Sequence, residues 1–149
     1  MAQRSYRRRL PHWREEGGTY FVTWRLERRQ APLTGPERGT VLAVIRTFAG
    51  ARFDLLAAVV MDDHVHVLVR PAPGRRLERI VQGWKSASAR LLAPGGRQGG
   101  CWQREYYDRL VRTEPALRAT LAYIRDNPIR RWPGIRTYPW LYLAPRALP

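Results

Sequence analysis

His64 and His66 stand two residues apart in the segment His64-Val65-His66-Val67-Leu68-Val69. In a strand, successive side chains alternate faces, so both imidazoles lie on one side while Val65, Val67 and Val69 turn into the core. Two neutral imidazoles on one surface can bind one divalent metal. The same pattern also describes a polar pair on the solvent face of a half-exposed strand. A hard cation such as Mg²⁺ or Mn²⁺ further needs oxygen donors. Tyr123 and Asn127 are four residues apart in a segment of helical periodicity, which stacks a phenol and an amide oxygen on one face. Taken alone, Tyr123 is more often a packing residue on an amphipathic helix, and Asn127 before Pro128 is ordinarily a helix terminator.

These residues need a frame. Thr19–Leu26 is rich in β-branched and aromatic residues after Gly17-Gly18 and reads as a first strand. Residues 37–49 place Val41, Leu42, Ile45, Phe48 and Ala49 at helical spacing, with Gly50 as a stop. Phe53–Met61 and His64–Arg70 are extended segments separated by Asp62-Asp63, the length of a tight hairpin turn. Arg76–Ala93 repeats apolar residues at a period of about 3.6 and ends at the Pro94-Gly95-Gly96 cluster. Trp102–Val111 reads as a fourth strand. Thr113-Glu114-Pro115 opens a third helix, with a capping hydroxyl and an early proline, that is expected to end near Asn127. Its stripe of Leu117, Leu121 and Ile124 would seat it on the sheet. The order strand, helix, strand, strand, helix, strand, helix predicts an α+β class: a ferredoxin-like antiparallel sheet with helices packed on it. One domain spans residues 1–149, with an arginine-rich N-terminal arm over about residues 1–16. An extension over about 129–149, rich in arginine and aromatics, is expected to wrap the domain or contact nucleic acid.

Composition narrows the partners. The 149 residues carry 27 Lys plus Arg against 12 Asp plus Glu, a net charge of +15, and Lys85 is the only lysine. Arginine favours bidentate phosphate contacts and stacking on planar groups, so nucleic acid is the expected partner. Arginines interleave with aromatic rings in Arg4–Arg9, in Trp102–Tyr107 and in Arg130–Trp140, as single-stranded nucleic acid requires. Among the six tryptophans, Trp24 and Trp84 read as core, whereas Trp13, Trp132 and Trp140 read as stacking candidates. The longest apolar run, Leu55–Met61, is far shorter than the roughly 20 residues of a membrane span. Arginines followed by Pro11-His12-Trp13-Arg14 do not resemble an export signal, and the single Cys101 excludes a disulfide framework within the chain. A cytoplasmic, nucleoid-associated protein is expected, as monomer or homodimer.

The segment Met61-Asp62-Asp63-His64-Val65-His66-Val67-Leu68-Val69 resembles the histidine-hydrophobic-histidine (HUH) motif of single-tyrosine transposases. Tyr123-Ile124-Arg125-Asp126-Asn127-Pro128-Ile129-Arg130 resembles their tyrosine helix. Arg9-Leu10-Pro11-His12-Trp13, Tyr20-Phe21-Val22-Thr23, Trp84-Lys85-Ser86 and Trp102-Gln103-Arg104-Glu105-Tyr106-Tyr107-Asp108 are similar to segments of the REP-associated tyrosine transposases, and the resemblance runs from about Arg9 to Tyr138. It implies a metal-dependent endonuclease and strand transferase acting on single-stranded DNA beside hairpins. His64, His66 and Asn127 would hold Mg²⁺ or Mn²⁺, and Tyr123 would be the nucleophile that forms a 5′-phosphotyrosine. Arg7, Arg8, Arg9, His12, Trp13, Lys85, Arg104, Arg130, Arg131 and Trp132 are the candidate DNA contacts.

Two departures from the family pattern stand out. Asp62-Asp63 occupies positions where the family usually has proline and asparagine; the carboxylates can turn to the metal, raise the histidine pKa values or cap the turn, and the turn is the favoured reading. Arg131 replaces a small residue, offering a phosphate or stacking contact together with Trp132. The alternative function is a catalytically idle module of the same fold that grips hairpin DNA or RNA.

Overall fold

The alternation in Thr19–Leu26 (β1) divides the molecule into two layers. Tyr20, Val22, Trp24 and Leu26 enter one core, while Phe21 enters a second core on the opposite face. The computed structural model describes residues 15–97 and 100–145, so Arg7, Arg8, Arg9, His12 and Trp13 lie outside the described residues. After β1 come α1 (Gly35–Arg46), β2 (Phe53–Val60), β3 (His64–Pro71), α2 (Leu77–Leu92), β4 (Trp102–Val111), α3 (Glu114–Arg131) and β5 (Leu141–Leu143). The strands form one sheet in the order β4-β1-β3-β2-β5, each neighbouring pair antiparallel. β3 is thus inserted between β1 and β2, and β1 between β3 and β4, the split crossover of the ferredoxin-like fold.

The larger core lies under α1 and α2, where Trp24 stacks on Trp84 at 5.8 Å and meets the edge of Trp102 at 6.0 Å. The smaller core lies under α3, where Leu121 and Ile124 bury against Phe21, Val59 and Leu68. β2 serves both layers, because a register shift between Leu55 and Ala57 lets Leu55, Ala58 and Val60 face one core while Ala57 and Val59 face the other.

Several expected boundaries move. α1 begins earlier than expected, because Thr34 and Glu37 form a capping box with Pro36 in the first turn, and it stops at Arg46, leaving Phe48 and Ala49 outside. α3 does not stop before Pro128. It continues to Arg131 although Pro128 offers no N–H to the Ile124 carbonyl, because Pro128 is itself buried and the Trp132 N–H donates to its carbonyl at 2.8 Å. The segment after α3 adds a fifth strand: Leu141–Leu143 pairs with β2, Tyr138 Oη donates to the Val60 carbonyl at 2.7 Å, and Val60 N–H donates to Trp140 O at 3.0 Å. Trp140 lies on α1 where Gly35 leaves room, since a Cβ there would come within 3.0 Å of the indole.

One polar staple ties the layer of α1 together. The Arg97 side chain donates to both carboxylate oxygens of Glu37 at 2.7 and 3.0 Å, and also to Gln30 Oε1 and the carbonyls of Ala31 and Pro32. The bidentate guanidinium holds Glu37 down to a pKa of about 2. A depressed carboxyl contributes stability above its ordinary range and loses it as pH falls toward the folded value. We therefore expect Glu37→Gln to lower stability by about 2 kcal/mol at pH 7, with the gap from the unsubstituted protein closing between pH 4.5 and about 2 in urea titrations; a pH-independent gap would contradict the pairing.

Candidate active site

Antiparallel pairing of β1 with β3 sets Thr23 opposite His66 and Arg25 opposite His64. Both histidines face the α3 layer, as the alternation predicts, but this face is covered rather than open: His66 is 4% exposed. Its ring stacks on Phe21 at 5.2 Å and meets the His64 ring at 4.6 Å. On α3, the Tyr123 ring comes to 5.3 Å from His66 and 6.0 Å from Phe21, both edge-on, while remaining 44% exposed. Asn127 follows one turn later and is buried. The helix therefore brings its phenol to the imidazole pair, with one side of the ring open to solvent.

Each imidazole is oriented through Nδ1. His64 Nδ1–H donates to Asp63 Oδ1 at 2.7 Å, and His66 Nδ1 shares a hydrogen bond of 2.7 Å with Thr23 Oγ1. The remaining nitrogen of His66, Nε2, is buried with no hydrogen-bond partner. Burial lowers the pKa of both rings, that of His66 strongly. Asp63 partly opposes this at His64, whereas the neighbouring His64, Arg25 and Arg130 reinforce it at His66. Both shifts favour the neutral imidazole, the form that donates a lone pair. The donor set thus fits a metal: Nδ1 engaged from behind, a buried Nε2 lacking a partner, and an amide on the facing helix. Among the described residues no cluster of three or more His, Cys, Asp or Glu side chains is arranged for a metal, so the implied set depends on Asn127.

The two aspartates are divided between two jobs. Asp63 orients His64. Asp62, only 8% exposed, accepts from Arg131 Nη2 at 2.9 Å through Oδ2, while its Oδ1 is buried without a partner. This ion pair ties the β2–β3 turn to the last turn of α3, and so ties the histidine strand to the tyrosine helix. Arg131 is consequently committed within the fold, although its side chain is half exposed.

Other sequence-selected residues have internal partners too. Lys85 is buried, donating to the carbonyls of Gln103 at 2.8 Å and Arg104 at 2.9 Å, which pins β4 to α2. Trp132 is half-buried and stacks on Tyr138 at 5.7 Å, and Trp140 sits under the Arg38 guanidinium at 4.4 Å. Arg104 and Arg130 are exposed. Sequence reasoning missed Thr23, Arg25 and Arg109. The last two are exposed beside the site, with the Arg109 guanidinium 5.0 Å over the Phe21 ring. Their only sequence signal is odd-numbered spacing along strands that also carry apolar residues. A cavity of about 290 Å³ lies beside Asp63, lined also by Arg25, Arg28 and Gln103 among others.

Removing Arg131 would strand a buried carboxylate. We expect Arg131→Met to destabilise the fold by about 1–3 kcal/mol, less than for a fully buried pair because the arginine is half exposed. Adding Asp62→Asn should restore most of the loss in thermal melts; additive losses would show that the two side chains are not coupled.

The chain resembles known proteins in sequence and in fold. Residues 16–127 match the model of the family described as Transposase IS200 like. A Haemophilus influenzae protein with the provisional name REP-associated tyrosine transposase is 28% identical over 127 residues, covering 77% of this chain and 72% of that protein. The solved structure of a REP-associated tyrosine transposase bound to a REP hairpin superposes with a TM-score of 0.64 at 21% identity, covering 83% of this chain and 75% of the other. A provisionally described transposase from Deinococcus radiodurans gives a TM-score of 0.55 at 23% identity, covering 73% of this chain and 88% of the other. With three quarters of its length matched by the family model, this chain belongs to the IS200-like transposase family.

Proposed function

We propose that the protein is an endonuclease and strand transferase for single-stranded DNA that cleaves beside hairpins through a 5′-phosphotyrosine. The observation that carries this reading is the approach of the Tyr123 ring to within 5.3 Å of buried, neutral His66, with the phenol half open to solvent. A nucleophile must be accessible to a polymer and stand beside the groups that orient the phosphate. Tyr123 would attack phosphorus in line, forming the P–Oη bond as the bond from phosphorus to the 3′ oxygen breaks. The phenol proton is lost and the departing 3′ oxygen gains one, leaving a 3′-hydroxyl. Because one phosphoester replaces another, rejoining needs no ATP.

His64, His66 and Asn127 would hold Mg²⁺ or Mn²⁺, which when bound supplies Lewis acidity at a non-bridging phosphate oxygen. Thr23 and Asp63 hold the two rings through Nδ1, which leaves the buried Nε2 of His66 without a hydrogen-bond partner. Exposed Arg25 and Arg109 border the site with positive charge suited to a polyanion. The REP hairpin held by the structural relative supports hairpin DNA as substrate. Among the described residues no helix is long and apolar enough to cross a membrane.

Incubation with labelled hairpin-containing single-stranded DNA and Mn²⁺, followed by a denaturing gel, tests the reading. A DNA–protein adduct that disappears in Tyr123→Phe is expected. Cleavage without an adduct would replace the reading with hydrolysis, and tight binding without cleavage under any divalent ion would replace it with the idle binding module. His66→Ala should abolish cleavage while hairpin affinity stays within a few-fold, since phosphate contacts supply most of it. Thr23→Val should weaken Mn²⁺ binding in calorimetry by about 10-fold or more, the usual cost of losing an orienting partner; unchanged affinity would remove Thr23 from the site.

A further inference from the structure

Arg130 lies seven residues beyond Tyr123, which on a helix is two turns along and the same face. Helical side chains lean toward the N-terminus, so a long arginine at this position reaches back over the phenol. Its guanidinium carbon lies 4.5 Å from the centre of the Tyr123 ring, and Nη2 donates to the Tyr123 carbonyl at 3.1 Å. The opposite edge of the ring is bounded by His66 and Phe21. Tyr123 is therefore gripped by its own backbone and by its ring face, through a helix turn that Pro128 deprives of one N–H donor. Arginine suits this double task, since one planar group can lie over a ring while a nitrogen in its plane donates a hydrogen bond; a lysine ammonium lacks that shape.

We propose that Arg130 is the positioning residue for the nucleophile. It holds the Tyr123 ring against His66 and keeps a positive charge over a ring into which the oxygen's negative charge delocalises, both when the phenol attacks and when it departs on rejoining. The inference rests on Tyr123 acting as nucleophile. It assigns Arg130 inward, in contrast to a contact with a DNA phosphate. The bond changes are those of the transfer itself: P–Oη forms as P–O3′ breaks, and the reverse on rejoining, with Arg130 retaining its protons throughout. Because the cation lies over the same ring in both directions, its loss should slow cleavage and rejoining by similar factors.

Arg130→Gln and Arg130→Lys provide the test. At saturating hairpin DNA with Mn²⁺, Arg130→Gln should lower the single-turnover rates of adduct formation and of rejoining by about 10- to 100-fold. Hairpin affinity and its salt dependence should be unchanged, and Arg130→Lys should recover part of the rate. Unchanged rates with weaker binding and a shallower salt slope would overturn the proposal in favour of a phosphate contact. A second measurement does not need catalysis. In protein labelled with fluorotyrosine, the resonance among the seven tyrosines that is lost in Tyr123→Phe should shift in Arg130→Gln without a change in melting temperature. An unmoved resonance would overturn the positioning role. Absence of any adduct in the unsubstituted protein, with the resonance shifted, would instead count against the nucleophile reading alone.

Discussion

The seating of α3 on the second face of the sheet is the contact on which the candidate chemistry depends. Leu121 and Ile124 close over Phe21, Val59 and Leu68, an apolar patch small enough to leave polar residues at its border. At that border stand His64, His66 and Thr23 from the sheet and Tyr123 from the helix, with Asn127 buried one turn further along α3. Burial of this patch does more than stabilise the helix. It withdraws water from His66, keeps the ring neutral, and leaves Nε2 without a solvent partner. The hydrophobic effect thus prepares an electron-pair donor.

Three further contacts hold the helix in that position. Arg131 binds Asp62 across to the histidine turn, Tyr138 and Trp140 lace the following extension to β2 and α1, and β5 extends the sheet beyond β2. Residues 129–145 therefore help to hold the fold together. Their aromatic and arginine content, which composition alone assigns to nucleic acid, is used in large part for a stack of Trp132, Tyr138, Trp140 and Arg38. Cations divide in the same way. Arg97, Arg131, Lys85 and Arg130 have partners within the fold, whereas Arg25, Arg104 and Arg109 are exposed on the solvent side. Net charge identifies the class of partner; only burial and hydrogen bonding separate the cations that can meet it from those already engaged.

Much of this protein could be read from local pattern. The bounds of β1 and β4, the common face of His64 and His66, the turn at Asp62-Asp63, the seating stripe of α3 and the burial of Trp24 and Trp84 follow from periodicities of two and about 3.6 and from turn chemistry, which act over a few residues. The motif residues and their order also mark the family. Tertiary structure decided what depends on partners distant in sequence: that Thr23 stands opposite His66, that Arg131 is claimed by Asp62, that Lys85 turns inward, that α3 runs through Pro128, and that the last segment becomes a strand. Local sequence sets which way a side chain points along its own element, but register and layer packing choose what it meets there, and those are settled only when the whole sheet assembles.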